Sequence, residues 1–330
     1  MIHTEDIFTI SSKRDFEKLT LKVFRYQYDN NKVYQEFCNY LNKDKSNVKT
    51  ILDIPFLPIQ FFKSHEIVST TNPVQETFTS SGTTGLQTSK HLVTDISLYE
   101  QSYRKGFSEF YGNIEDYCIL ALLPSYLERE GSSLIYMVQD LIQSSNHPDS
   151  GFYLNNYDDL ITKLIALDQS GQNVILIGVT YALLDLIERH TFQLKNTIIM
   201  ETGGMKGKRK EMIREELHAI LSHGFGVPVI HSEYGMTELL SQAYSLGNGV
   251  FECPPWMQIL TRDTEDALSY VSNGKTGGIN VIDLANVNSC SFIATQDLGK
   301  KYPNHSFEVL GRFDHSDIRG CNLMIDNTLF

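Results

Sequence analysis

The feature that most constrains this chain is a regular alternation of short apolar runs and longer amphipathic segments between residues 118 and 232. The runs Cys118–Leu123, Val174–Val179, Thr197–Glu201 and Val227–Ser232 have the length and apolar content of strands buried on both faces. Helical spacing predicts helices over Ser132–Gln143, Tyr157–Leu167 (stopped by Gly171), Tyr181–Arg189 and Lys208–Ser222 (stopped by Gly224). Strands that alternate with helices close their apolar faces best as a mainly parallel sheet covered on both sides, so the expected fold class is α/β.

The flanks differ in character. Residues 14–41 carry apolar positions at helical spacing with a break near Asp29-Asn30-Asn31, which predicts two helices. The run Ile54-Pro-Phe-Leu-Pro-Ile-Gln-Phe-Phe-Lys63 holds two prolines and suits an extended segment laid across a core. Past residue 245, Trp256–Thr261, Gly278–Leu284, Ser291–Thr295, Ser306–Leu310 and Asn322–Ile325 read as strands with hardly a helix among them. No repeat or linker marks a boundary, so a single domain over 1–330 is expected, with an α/β part (1–245) and a smaller β-rich part (246–330).

Between the extended run and the alternating region lies Phe78-Thr-Ser-Ser-Gly-Thr-Thr-Gly-Leu-Gln-Thr-Ser-Lys90. Four hydroxyls (Ser80, Ser81, Thr83, Thr84) and two glycines (Gly82, Gly85) fall within six residues, and Lys90 follows. Backbone N–H groups, hydroxyls and one ammonium in that density suit a polyphosphate, and the glycines let the backbone approach it. The spacing is not that of a Walker A loop, and composition alone favours a plain turn between strands. Just beyond, Thr94-Asp95 can cap a helix with Ile96, Tyr99, Tyr103, Phe107 and Phe110 in one stripe.

Charge and cysteine usage narrow the function. A formal net charge of −12 argues against a nucleic-acid surface, which needs clustered Lys and Arg; the short cluster at Lys206–Lys210 is the exception. Five widely spaced cysteines without a C-x-x-C pair signal neither a disulfide framework nor a zinc site, and a reducing, cytoplasmic location is expected. No segment has the length and apolarity of a membrane span or a secretory leader.

An open α/β sheet places its ligand site beyond the carboxyl ends of its strands, and the loops there are polar. Leu123–Ser133 follows one strand, with Glu128-Arg129-Glu130 reading as a self-paired surface turn. Glu201-Thr-Gly-Gly-Met-Lys-Gly207 follows another, where a glycine turn ahead of a helix and a ligand contact are equally open. Tyr234-Gly-Met-Thr-Glu238 offers an aromatic face, a hydroxyl and a carboxylate, which suit a purine, a phosphate and a divalent metal. On spacing alone it is a helix start, with Thr237 as cap and Glu238 in the first turn. There is no G-x-S-x-G elbow, H-E-x-x-H or G-x-G-x-x-G.

Taken in order, S-S-G-T-T-G…K (80–90), T-G-G (202–204), Y-G-M-T-E (234–238), T-Q-D-L-G (295–299) and G-R-F-D (311–314) resemble the motifs of the adenylate-forming superfamily of acyl- and aryl-CoA ligases. The match covers the N-terminal three quarters of such an enzyme. The chain stops sixteen residues after Asp314, so the family's mobile C-terminal domain and its catalytic lysine are expected to be absent. The ending Arg319-Gly-Cys321-Asn looks like phenylacetate–CoA ligase around R-G-x-N, with a thiol at the x. That ending, together with residues 54–63 and Leu123–Ser133, is similar to the acyl-protein synthetase family, whose best-known members feed the fatty-acid reductase of bacterial luminescence.

The resemblance implies ATP and Mg²⁺ as cofactors and a role for each matched residue. Ser80, Ser81, Gly82, Thr83, Thr84, Gly85 and Lys90 would hold the pyrophosphate end of ATP. Gly203, Gly204, Tyr234 and Gly235 would border the adenine, and Thr237 would touch the α-phosphate. Glu238 would hold Mg²⁺, Asp297 the ribose hydroxyls, and Arg312 the ribose or a phosphate. It also implies that Cys321 carries the acyl group as a thioester, with Arg319 two residues away favouring the thiolate; by its residue type alone Cys321 is a small buried apolar side chain. The expected function is ATP-dependent activation of a fatty acid and its delivery, through Cys321, to an acceptor protein such as an acyl reductase or carrier. A ligase that delivers the acyl-adenylate to coenzyme A or a carrier without a covalent intermediate is an alternative. A catalytically silent nucleotide-binding partner in an acyl-processing assembly is another.

Overall fold

The computed structural model of the chain describes residues 2–80, 88–124, 131–154, 156–203, 209 and 212–313. They form two compact units: one joins residues 1–72 to the last part of the chain from 255, and the other comprises 73–254.

The first unit begins with α1 (Thr4–Phe8), α2 (Lys13–Asn30) and α3 (Lys32–Tyr40). Asn31 makes the break between α2 and α3: its N–H donates to the Gln27 carbonyl, ending α2, while its side chain accepts the Tyr34 N–H, starting α3. The proline-bearing run yields a two-residue strand β1 (Leu57–Pro58) and a short helix α4 (Phe61–Ser64).

The second unit opens with the hairpin β2 (Glu76–Thr79) and β3 (Lys90–Val93), followed by α5 (Ile96–Tyr111), capped by Asp95. Then come β4 (Cys118–Leu122), α6 (Ser133–Ser144), β5 (Gly151–Phe152), α7 (Tyr157–Ser170), β6 (Val174–Gly178), α8 (Thr180–Arg189), β7 (Thr197–Glu201), α9 (Arg214–Phe225), β8 (His231–Tyr234), β9 (Ala243–Ser245) and β10 (Val250–Phe251). The sheet runs β5-β4-β6-β7-β8-β9, parallel throughout except for β9, as the alternation predicts. Every residue of β4 and of β6 is buried, the burial expected of strands covered on both faces. On one face α5 and α6 meet the sheet around Phe107, Met137, Ile175 and Met200. On the other, α9 brings Arg214 and His218 to β7 and β8.

Two local expectations are corrected. Gly224 does not stop α9; it lies inside the helix, where a Cβ would sit 2.6 Å from the Ile187 Cβ of α8, so its bareness permits the close approach of the two helices. The stop is Gly226, left-handed at φ +67°. The strand expected from Val227 begins only at His231, past Pro228, which has no N–H to give to a ladder.

The first unit resumes with β11 (Met257–Arg262), β12 (Thr276–Asp283), β13 (Phe292–Lys301) and β14 (Phe307–Arg312), a run of antiparallel neighbours. β1 pairs in parallel with the start of β13. Phe292 anchors the core, with the rings of Tyr34, Phe56 and Phe24 5.9, 6.1 and 6.4 Å away. The Gln27 amide locks α2 to the loop ahead of β13, donating to the carbonyls of Asn286 and Val287 and accepting the Ser291 N–H. The strand expected at Asn322–Ile325 lies outside the described residues.

Candidate active site

The parallel strands β4, β6, β7 and β8 end on one edge of the second unit's sheet, where two of the matched motifs lie. After β7 the chain turns through Thr202 and Gly203. The Thr202 N–H donates to the Gly178 carbonyl at 3.1 Å, and the Thr180 N–H donates to the Gly203 carbonyl at 3.3 Å. Gly203 takes φ +70°, which a side chain would strain, and among the described residues nothing lies within 4 Å of where its Cβ would be. The Thr202 hydroxyl is buried and has no hydrogen-bond partner among the described residues. Gly204 lies outside them.

A buried carboxylate holds this turn. Glu201 Oε2 accepts the Gly203 N–H at 2.6 Å, while Oε1 faces the Arg214 guanidinium at 3.0 Å and His218 Nε2 at 3.6 Å. Burial opposes ionisation of Glu201, but His218, Arg214, the Ser232 hydroxyl and the Gly203 N–H outweigh it and hold the pKa at about 2. The charge is therefore permanent at neutral pH, and it fixes the turn from beneath.

After β8 the chain does not start a helix. Residues 235–242 form a connection that returns as β9, antiparallel to β8, with Glu233 opposite Tyr244 and Tyr234 opposite Ala243. Leu239 and Leu240 are buried here, and pairing with β8 outweighs the local helix-start signal of Thr237-Glu238. The Leu239 N–H donates to the Met236 carbonyl at 3.1 Å, so Thr237 and Glu238 occupy a tight turn. Glu238 is buried, and Tyr234 is buried with its ring centroid 6.0 Å from that of Phe251. The Glu233 carboxyl lies against Gly235, in space that a Cβ there would occupy. Burial, then the nearby Glu201 carboxylate, pushes the Glu233 pKa up to about 8, so this carboxyl is neutral at pH 7.

The glycine-rich loop is closed at its base by β2 and β3. The Ser80 N–H donates to the Ser89 carbonyl at 3.1 Å, and the Ser80 hydroxyl accepts the Ser89 N–H at 2.9 Å. Lys90, opposite Thr79, is exposed at the start of β3. Its neighbour His91 is fully buried, and Nδ1 donates to the Thr237 carbonyl at 2.8 Å. One bond thus joins the base of the loop to the Thr237–Glu238 turn, 146 residues along the chain. Ser81, Gly82, Thr83, Thr84 and Gly85 lie outside the described residues.

The other unit holds the two remaining matched positions. Asp297, buried on β13, faces Arg312 on β14, Nε to Oδ1 3.3 Å, with the Arg312 side chain largely exposed. The Asp297 N–H donates to the Thr295 hydroxyl, which donates to the Ile279 carbonyl. Arg262 ties the same strands by donating to the carbonyls of Ile279 and Thr295, and its guanidinium lies 5.4 Å from the centroid of the Phe313 ring.

Cys321 lies outside the described residues. Of the four described thiols, Cys38, Cys118 and Cys290 are buried; burial pushes the first two up to about 12 and about 11, and also raises the third. No group of three or more His, Cys, Asp or Glu suited to a metal occurs among the described residues, and no helix among them is long and apolar enough to cross a membrane.

Sequence reading does not single out His91, Arg214, His218 or Glu233. For His91 a signal exists: in a strand that begins at Lys90, period-2 alternation turns positions 91 and 93 inward, and both are buried. Arg214, His218 and Glu233 carry no local signal, since their roles arise from partners on other elements.

Comparison with known proteins agrees with this architecture. The profile of one family, described as acyl-protein synthetase, LuxE, matches residues 8–330. A long-chain-fatty-acid–luciferin-component ligase of Vibrio harveyi is 23% identical over 332 residues, covering 93% of this chain and 86% of that protein. Among solved structures, 2-hydroxyisobutyryl-CoA ligase in complex with 2-HIB-AMP superposes with a TM-score of 0.69 at 11% identity, over 91% of this chain and 68% of that one. ATP-bound MatB from Rhodopseudomonas palustris superposes with a TM-score of 0.52 at 18% identity, over 74% of this chain and 49% of that one. The fold is that of these ligases.

Proposed function

Because the chain belongs to the LuxE acyl-protein synthetase family, we propose that it activates a fatty acid with ATP and transfers the acyl group to its own Cys321 for delivery to an acceptor protein. The observation that carries this reading is the bond from His91 to Thr237, which draws the lysine of the glycine-rich hairpin and the Thr237–Glu238 turn to one place at the ligand edge of an α/β sheet.

The residues present fit ATP. The buried Thr202 hydroxyl, without a partner among the described residues, and the space beside Gly203 that no described residue fills suit an adenine edge, with Tyr234 and Gly235 as its border. In this reading Ser80, Ser81, Gly82, Thr83, Thr84, Gly85 and Lys90 grip the leaving pyrophosphate, and Thr237 holds the α-phosphate. The family resemblance assigns the ribose to Asp297 and Arg312, which pair with each other within the first unit. Glu238 would hold a Mg²⁺ ion, a hard cation that takes its other ligands from phosphate oxygens and water and offsets polyphosphate charge. A single protein carboxylate suits that use better than a closed protein cage.

Chemically, a fatty-acid carboxylate oxygen attacks the α-phosphorus, the bond to the β-phosphate oxygen breaks, and pyrophosphate leaves. Lys90 and the loop N–H groups stabilise the negative charge that builds on the departing oxygens. The Cys321 thiolate then attacks the acyl carbonyl, forming a thioester with AMP as the leaving group. The raised pKa values of Cys38, Cys118 and Cys290 keep those thiols protonated, which leaves the half-buried Cys253 and Cys321, and the match at Arg319-Gly-Cys321-Asn favours Cys321.

The test incubates the protein with ATP, Mg²⁺ and a panel of fatty acids, then measures pyrophosphate and intact mass. Acid-dependent pyrophosphate with a hydroxylamine-labile acyl adduct, lost in Cys321→Ser, is expected. Pyrophosphate without an adduct would instead identify a ligase that needs a separate thiol, and ATP binding without pyrophosphate would identify a silent nucleotide-binding protein.

A further inference from the structure

We propose that His91 is a positioning residue for the adenylation reaction: it sets the distance between the Lys90 ammonium and the Thr237–Glu238 turn. The inference deepens the function proposed above and rests on it.

His91 is built for this placement. It is fully buried on β3 and lies opposite Phe78 in the hairpin register. Phe78 in turn packs against Tyr99 and Tyr136, with ring centroids 5.3 and 5.7 Å away, so the hairpin is seated on α5 and α6. Lys90 precedes His91 and is exposed, because successive side chains on a strand point to opposite sides. Any motion of β3 therefore carries both residues together.

The other end of the bond is equally constrained. A carbonyl can only accept, so His91 carries its proton on Nδ1 and donates to Thr237 O at 2.8 Å. That carbonyl belongs to the turn closed by the Leu239 N–H to Met236 O bond, and the next side chain is the buried Glu238. The imidazole thus registers a cationic residue on one segment against a hydroxyl and a carboxylate on another through its bond to the backbone of the second. Phosphoryl transfer depends on such registration, and a misplacement of about 1 Å can cost on the order of 100-fold in rate.

Two substitutions separate positioning from bulk. His91→Leu removes the donor and keeps a branched side chain, whereas His91→Asn retains an N–H at the place of Nδ1. In His91→Leu, acid-dependent ATP–pyrophosphate exchange should fall roughly 10- to 100-fold, and the Mg²⁺ concentration for half-maximal exchange should rise several-fold, with the KM for the acid unchanged. Loss of folded protein alone lowers the rate but does not move the Mg²⁺ midpoint. Independently of turnover, amide hydrogen exchange in a peptide covering 234–242 should accelerate in His91→Leu while peptides from β4 and β6 keep their protection. His91→Asn should bring all three readouts to within about 3-fold of the parent.

A His91→Leu protein with parental exchange rate, Mg²⁺ midpoint and amide protection overturns the proposal, as does a His91→Asn protein as impaired as His91→Leu. If the parent itself shows no acid-dependent exchange, the adenylation reading fails and the role of His91 in it falls too; that result appears in the unaltered protein and is told apart from the others.

Discussion

Replacing Glu201 with Gln removes one charge from beneath the Gly203 turn and leaves the side-chain shape intact. In the folded protein the carboxyl titrates at about 2 instead of its ordinary 4.5. That difference of about 2.5 units corresponds to ~3 kcal/mol of stability at pH 7. The figure agrees with the cost of breaking a buried ion pair, about 3–5 kcal/mol, softened here because Arg214 keeps a contact with the Ser232 hydroxyl at 3.3 Å. The sign follows from the depressed pKa: the stabilisation is complete above about pH 4.5 and is lost as the pH falls toward 2. Glu201→Gln should therefore be less stable than the parent by ~3 kcal/mol at pH 7, and the gap should close progressively between about pH 4.5 and 2. The sole tryptophan, Trp256, lies in the other unit, so its fluorescence is the wrong probe. Amide exchange of peptides from β7 and α9 in a urea series, repeated at pH 7, 5, 4 and 3, reports the unit that carries Glu201. Equal protection in the two proteins at pH 7, or a gap that stays constant down to pH 3, would refute the electrostatic account of this turn.

Two further perturbations have defined signs. Glu233 titrates at about 8, above its ordinary 4.5, so the folded protein loses stability as the pH rises between those values; Glu233→Gln should gain on the parent across that window, by at most roughly 5 kcal/mol for this half-buried group, and a pH-independent difference would disprove it. Gly224→Ala adds a Cβ 2.6 Å from the Ile187 Cβ, and the overpacking, about 1–3 kcal/mol, should exceed the ~1 kcal/mol gained in helix propensity, which a lowered melting temperature for the unit of 73–254 would show and an unchanged or raised one would exclude.

The parallel sheet was legible because its signals are local. Apolar runs, helical periods and the stop at Gly171 each lie within a few residues, and β4, β6, β7 and β8 follow from them in order, whereas the two-residue β5 carries no such signal. Gly224 and Gly226 mark where local signals become ambiguous. Two glycines close together near a helix end read alike, and only the neighbouring helix α8 distinguishes the one that admits Ile187 from the one that turns left-handed. The Thr237–Glu238 turn shows the same limit: its cap-like residues are a sound helix signal until β9 pairs with β8. The union of the first 72 residues with those from 255 onward was closed to any window-based reading, since it rests on contacts such as Gln27 to Asn286, 259 residues apart.

The candidate site divides along the same line. Residues whose own side chains suit a ligand, such as Lys90, Tyr234 and Glu238, stand in compact motifs, because hydroxyls, glycines and charges in a short stretch advertise themselves. His91 and Glu201 tie those stretches down, and their chemistry is spent on a backbone carbonyl and a backbone N–H, while the Glu233 carboxyl fills the space beside Gly235. Such groups leave no motif, since any donor or carboxylate that reaches the same backbone atom would serve. Reach decides for His91, 2.8 Å from Nδ1 to Thr237 O, whereas Glu201, 2.6 Å from the Gly203 N–H, also contributes the charge that Arg214 and His218 face. At His91, an exchange that restores the reach should therefore restore the function; if Lys90 and Glu238 act on the nucleotide as proposed, neutral substitutes there should not, which acid-dependent ATP–pyrophosphate exchange of Lys90→Met and Glu238→Gln would check.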